Sequence, residues 1–251
     1  MFKRQLKKFR RRYGLESRTL HADYKADGLG VRNKELAFLE DPVFKDAWSK
    51  AIEGAEFGFD GLIPDIRWRA HIALWAARRG LQLEGDFVEC GVYTGLLSLT
   101  ICHALGFQRT NRKFYLFDTF EGVPLDGLVG GELELAAGLN KNMYRDVYDE
   151  TRRHFAAFPT AELVRGVLPD ALDQVNLERI AYLSIDLNNA LAEKPCIERL
   201  WPKVAPGAFI VVDDYAFKGH RAQFEMWNAF SADVGAPIVT LPTGQGLLIK
   251  P

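Results

Sequence analysis

Between Gly207 and Asp213 the chain runs through Ala208-Phe209-Ile210-Val211-Val212 without a polar residue. The run is too short for a helix and has no side that water would tolerate. A strand of this kind is stable where helices cover both faces of a parallel sheet. The segment therefore demands a layered α/β architecture, and the remaining sequence has to supply both the partner strands and the covering helices.

It does so by alternation. The β-type runs are Phe87 to Cys90, Lys113 to Phe117, Leu163-Val164 and Ala181 to Ile185, with helical patterns over Leu96 to Leu105 and Ala190 to Trp201 between them. Such alternation is the signature of βαβ units. Pro64 opens a further helix whose Ile66, Ala70, Ala73, Leu74 and Ala77 share one face, with Arg78 and Arg79 in its last turn and Gly80 after them. Two closing β runs, Pro237 to Leu241 and Gly246 to Lys250, flank a Pro/Gly turn and read as a hairpin, which makes the last strand antiparallel.

The organisation follows from these elements. Residues 1–60 are charged, broken by glycines and helical only in patches over 33–40 and 42–55, so they read as an N-terminal cap on a domain spanning 61–251. The stretch 121–160 is glycine-rich, carries a predicted helix over 142–158 and follows a strand, as lids often do.

Of the 251 residues, 32 are basic and 33 acidic, so no global field draws the chain to nucleic acid. Basic residues cluster only in Phe2 to Arg12, which reads as a solvated arm or docking helix; the N-terminal region is the candidate surface for a homo-oligomer. Cys90, Cys102 and Cys196 form no CxxC pair, which fits a reducing compartment. Without an apolar run long enough to span a bilayer or a secretory signal, the expected location is cytoplasmic, with no transmembrane segment.

In an open α/β sheet the ligand lies beyond the carboxyl ends of the strands. There the first strand ends in Glu89-Cys90-Gly91-Val92-Tyr93-Thr94-Gly95, whose glycines let the backbone turn toward a ligand. The spacing is GxxxG. A dinucleotide fingerprint needs a glycine where Tyr93 stands, so a nicotinamide cofactor is disfavoured. Asp118 ends the second strand, where a carboxylate can accept both ribose hydroxyls, and Gly166 ends the third, as a plain turn or beside an adenine.

Four segments, Val88 to Gly95, Phe117 to Pro124 (Phe-Asp-Thr-Phe-Glu-Gly-Val-Pro), Gly166 to Leu172 and Pro206 to Tyr215, resemble the class I methyltransferases of the macrocin O-methyltransferase family. The resemblance spans roughly residues 85–250. It implies a Rossmann-like, doubly wound, mostly parallel seven-stranded sheet with an antiparallel last strand. It also implies S-adenosylmethionine as cofactor, with Glu89, Gly91 and Tyr93 near its methionine part, Asp118 on the ribose, Gly166 near the adenine and Gly95 in the same cofactor-binding set. Members act on sugar hydroxyls of antibiotics, which implies a small-molecule, sugar-bearing acceptor.

Asp186 ends one strand and Asp213-Asp214 another, so three carboxylates meet at one sheet edge. Oxygen ligands suit Mg²⁺, although aspartates there also end strands and cap helices. The resemblance implies Mg²⁺ on these aspartates, with one departure: the family runs Asp-x-Asp-x-Tyr-Glu where this chain has Asp186-Leu187-Asn188-Asn189-Ala190-Leu191. A hydroxyl acceptor must shed its proton as it attacks a methyl group, and His220 and Asp214 are equal candidates for the base. The competing reading is a nonenzymatic nucleoside-binding protein within a biosynthetic complex. The substitution at Asn188 favours it, and the retention of Asp186, Asp213 and Asp214 opposes it.

Overall fold

The computed structural model describes residues 22–55, 57, 58 and 61–251; the basic arm at Phe2 to Arg12 lies outside them. In chain order the elements are β1 (Tyr24–Ala26), β2 (Leu29–Val31), α1 (Ala37–Glu40), α2 (Pro42–Ile52), α3 (Arg67–Gly80), β3 (Asp86–Cys90), α4 (Leu96–Leu105), β4 (Phe114–Asp118), α5 (Gly130–Asn142), α6 (Tyr148–His154), β5 (Ala161–Arg165), β6 (Ile180–Ile185), α7 (Ala190–Leu200), β7 (Val204–Val212), α8 (Arg221–Val234), β8 (Val239–Thr240) and β9 (Gly246–Ile249), with short 3₁₀ turns between them.

Seven strands form one sheet in the order β5-β4-β3-β6-β7-β9-β8. β3 to β7 are mutually parallel, and β9 runs antiparallel to both β7 and β8. Alternation along the strands divides the core in two. Phe87, Phe114, Leu116, Tyr182 and Val211 face a layer built with α2, α3 and α4; Val88, Cys90, Phe117, Leu183, Ile210 and Val212 face the other with α7 and α8. Ala208, Ile210, Val211 and Val212 of β7 are all fully buried, as a strand covered on both faces must be. The order reverses at β3, whose neighbours are β4 on one side and β6 on the other, so their carboxyl ends open a crevice there.

Several predicted elements shift. The helix expected after Pro64 starts at Arg67, and the central strand begins four residues earlier than its apolar run, at Val204. The helix expected over 142–158 is two helices, α5 ending at Asn142 and α6 starting at Tyr148. Three glycines in 130–138 argue against α5 on propensity alone. Tertiary bonds override that preference: the Asn140 side chain bonds both the N–H and C=O of Val123 at 2.8 Å, Glu132 accepts from the Ala190 N–H at 2.6 Å, and Ala136 is buried on Val123 and Leu128. Asp146 then accepts the Tyr148 N–H and restarts the helix.

The rear of the predicted lid is part of the main core. Val147, Phe155 and Phe158 are buried there, and the Thr151 hydroxyl donates to the Tyr93 carbonyl at 2.9 Å. The front, 122–144, forms its own small cluster over the crevice.

At the N-terminus, Asp41 caps α2 by accepting from Val43 and Phe44, and α2 buries Phe44, Ala47 and Ala51. The β1–β2 hairpin was not expected from the sequence reading, although its Asp27-Gly28 turn has positive φ at both residues and is a familiar two-residue hairpin signal. No helix among the described residues is long and apolar enough to cross a membrane.

Candidate active site

Two cavities meet at the crevice, of about 230 and 320 Å³, and share Gly91, Val92, Tyr93, Tyr144, Asp186 and Asn188 in their walls. The first lies over the ends of β3, β4 and β5 and includes Asp118, Gly166, Leu168 and Leu187. The second lies over β6 and β7 and includes Glu89, Arg69, Asp213, Asp214 and His220. The sequence-predicted residues are therefore brought together in two adjoining groups, with the exception of Gly95. That residue faces neither cavity: it starts α4 with φ of 82° and packs against Phe155.

The glycine loop is held by its neighbours. Gly91 has φ of 88°, and a Cβ there would collide with the Asp186 carbonyl, so only glycine lets the β3 and β6 ends approach this closely. Tyr93 also has a positive φ, 52°. Its hydroxyl donates to the Met143 carbonyl at 2.9 Å and its ring meets Phe57 and Tyr144 edge-on, so the side chain supports the front of the insertion.

Asp118 is more committed than a ribose acceptor alone. One oxygen accepts the Val92 and Tyr93 N–H groups at 2.6 and 2.7 Å, and the other accepts the Phe120 N–H at 2.7 Å. It ties β4 to the glycine loop. Gly166 lies in the same wall, where a Cβ would crowd Gln174 and Ala171. Glu89 is buried, and its Oε2 has no hydrogen-bond partner. Burial pushes its carboxyl up to about 8. An unpaired buried carboxyl oxygen beside an apolar-walled cavity suits a ligand with an ammonium group at one end and a flat base at the other.

Asp186, Asp213 and Asp214 bring one oxygen each within 4.8 Å of one another. Burial and the charges of Asp214 and Asp213 hold the Asp186 carboxyl well above the usual range, and burial with the Asp213 charge lifts Asp214 to about 6. Such a cluster fits a hard divalent cation, whose charge would offset that repulsion. Asn188 donates at 3.2 Å to Asp186 Oδ1 and at 3.2 Å to the hydroxyl of Tyr144. In this geometry it orients Asp186 and Tyr144.

His220 Nε2 lies 3.7 Å from Asp214 Oδ2, and its Nδ1 meets Gln223 Oε1. Gln223 in turn donates to Glu193 Oε1 at 2.8 Å, and Glu193 also accepts from Trp227 Nε1 at 2.6 Å and the Leu187 N–H at 3.1 Å. With the Gln223 amide nitrogen committed to Glu193, its oxygen accepts from Nδ1–H, and Nε2 is the ring nitrogen on the side of Asp214. His71 and His103 pack on Phe38 and Phe158.

Arg69, Gln245, Gln223 and Glu193 escaped the sequence reading. Arg69 is one of several cations on a helix that reads as amphipathic, and the others meet the site only through tertiary packing, so no spacing rule finds them.

The fold is shared with solved methyltransferases. The O-methyltransferase NovP superposes with a TM-score of 0.63 over 72% of this chain and 79% of that one at 21% identity, which places the chain among Rossmann-like class I methyltransferase folds. The profile of the macrocin O-methyltransferase family matches residues 76–242. The chain belongs to that family. Relatives include demethyldecarbamoylnovobiocin O-methyltransferase of Streptomyces niveus, 28% identical over 59% of this chain and 62% of that protein. Another is 8-demethyl-8-(2,3-dimethoxy-alpha-L-rhamnosyl)-tetracenomycin-C 4'-O-methyltransferase of Streptomyces olivaceus, 26% identical over 55% and 56%. The chain spans about three fifths of the length of these curated relatives.

Proposed function

We propose that this chain is an S-adenosylmethionine-dependent O-methyltransferase acting on a small-molecule hydroxyl, a sugar hydroxyl by the chemistry of its relatives, with Mg²⁺ at the acceptor site. The observation that carries the reading is the meeting of Asp186, Asp213 and Asp214 at one end of a cavity whose other wall is the glycine loop. The first cavity suits the adenosine part of the cofactor, against Gly166, Leu168 and Leu187, and Glu89 suits its methionine ammonium.

When bound, S-adenosylmethionine supplies an electrophilic methyl group and the cation lowers the cost of ionising the acceptor oxygen. The chain's own residues do the rest. Asp186, Asp213 and Asp214 would hold the cation, and Tyr93 and Tyr144 line the junction between the cavities. The base is Asp214 or the Nε2 of His220, whose tautomer Gln223 sets. That base would take the proton that the acceptor hydroxyl loses on methylation.

Calorimetry with S-adenosylhomocysteine, with and without Mg²⁺, tests both halves. The wild type should bind the nucleoside in either case and bind Mg²⁺ through the aspartates. Asp213→Asn should keep nucleoside affinity within a few-fold and lose Mg²⁺ binding. Failure to bind the nucleoside overturns the enzymatic reading; equal Mg²⁺ binding by wild type and variant overturns the metal.

A further inference from the structure

Arg69 reaches the carboxylate cluster from α3, and both it and its partner Asp27 lie outside the residues that match the family. The Arg69 side chain is 13% exposed. Its Nε and Nη2 donate to the two oxygens of Asp27 at 2.6 and 2.7 Å, a two-pronged grip from the turn of the β1–β2 hairpin. Nη1 donates to Asp213 Oδ2 at 2.5 Å and lies 3.5 Å from Asp214 Oδ1. Phe217 backs the group, 4.6 Å from the guanidinium carbon to the ring centroid. The other oxygen of Asp213 accepts from Gln245 Nε2 at 2.8 Å.

Both oxygens of Asp213 are thus engaged by protein donors. A divalent ion taking one oxygen from each of Asp186, Asp213 and Asp214 has to share an oxygen with a guanidinium, or displace it, and two cations on one buried oxygen repel. Arginine stays charged at any pH the protein tolerates, so the competition cannot be relieved by losing a proton.

We propose that Arg69, clamped by Asp27, is the resident cation of the acceptor site: it offsets part of the charge of Asp213 and Asp214 and competes with any divalent ion for them. The inference rests on reading the cluster as the acceptor site, and it adds that the N-terminal hairpin sets the metal demand of that site. A chain with its own cation binds divalent metal weakly, and a chain stripped of it binds metal well.

The test uses Mn²⁺ as the probe, with free ion followed by electron paramagnetic resonance and unfolding followed by heat, on full-length wild type, Arg69→Met, Arg69→Lys, Asp27→Asn and the double variant Arg69→Met/Asp213→Asn. Arg69→Met should bind one Mn²⁺ at least tenfold more tightly than wild type. It should melt below wild type in chelator and recover when Mn²⁺ is added. Asp27→Asn, which leaves the three cluster carboxylates and the guanidinium in place but loosens the clamp, should gain Mn²⁺ affinity by a smaller factor and guards against a failure of Arg69→Met to fold. Arg69→Lys keeps a charge without the fork and should fall between. The double variant should lose the gained site.

Equal Mn²⁺ affinity in wild type, Arg69→Met and Asp27→Asn, abolished in the double variant, overturns the role of Arg69 and leaves the metal reading standing. Absence of Mn²⁺ binding from every variant overturns both, while nucleoside binding still reports on the cofactor site separately.

Discussion

Glu89, the penultimate residue of β3, is buried, with one carboxylate oxygen unpaired and its pKa pushed up by burial to about 8. At pH 7 roughly nine-tenths of cofactor-free molecules therefore carry a proton there. An ammonium docked within hydrogen-bonding distance favours the ionised carboxylate and lowers its pKa by about 1 to 3. Binding S-adenosylhomocysteine at pH 7 should then expel about 0.4 to 0.9 of a proton. Calorimetry in two buffers of different ionisation enthalpy reads this number as the slope of the apparent binding enthalpy. Glu89→Gln preserves the shape of the side chain but cannot ionise, so its slope should fall to zero. Losing a charge-assisted hydrogen bond of about 1.5 to 3 kcal/mol should weaken its affinity by roughly 10- to 100-fold. A wild-type slope of zero, or a slope that persists in Glu89→Gln, would refute the assignment of Glu89 to the ammonium.

Asp118→Ala leaves the Val92, Tyr93 and Phe120 N–H groups without their acceptor, so a lowered melting temperature should accompany at least a tenfold loss of S-adenosylhomocysteine affinity; unchanged affinity removes Asp118 from the site. Glu193, like Glu89, is raised by burial to about 8 from an unfolded value near 4.5, so the folded chain holds the extra proton and stability from this group is lost as pH rises through 8. Glu193→Gln turns an amide NH₂ toward N–H donors and should cost about 1 to 3 kcal/mol near pH 5. The gap from wild type in thermal melts should narrow as pH rises to 8, and a constant gap contradicts the buried-proton account.

The elements that came straight from the sequence are those whose patterns are local. Leu96 to Leu105 forms the predicted helix residue for residue, because its flanking glycines, Gly95 and Gly106, both take left-handed conformations that end the pattern. The β7 run had one destination once every residue in it was apolar. The strand-end residues Asp118, Asp186 and Asp213 were legible for the same reason: the crevice position follows from topology, and topology follows from alternation.

What the sequence left open was decided by contacts between distant residues. α5 exists in spite of its glycines because Asn140 and Glu132 anchor it to Val123 and to the start of α7, 17 and 58 residues away. The partners of Asp213, Arg69 and Gln245, stand 144 and 32 residues from it in the chain. Pairing of this sort carries no periodicity and no turn chemistry. A charged side chain on a helix reads as solvated until the fold buries it, and only then does its charge have to be answered by a neighbour. The sequence by itself determined a doubly wound sheet with carboxylates at its edge; the tertiary structure alone decided that a guanidinium sits among them, because its position depends on a helix and a hairpin meeting across the crevice.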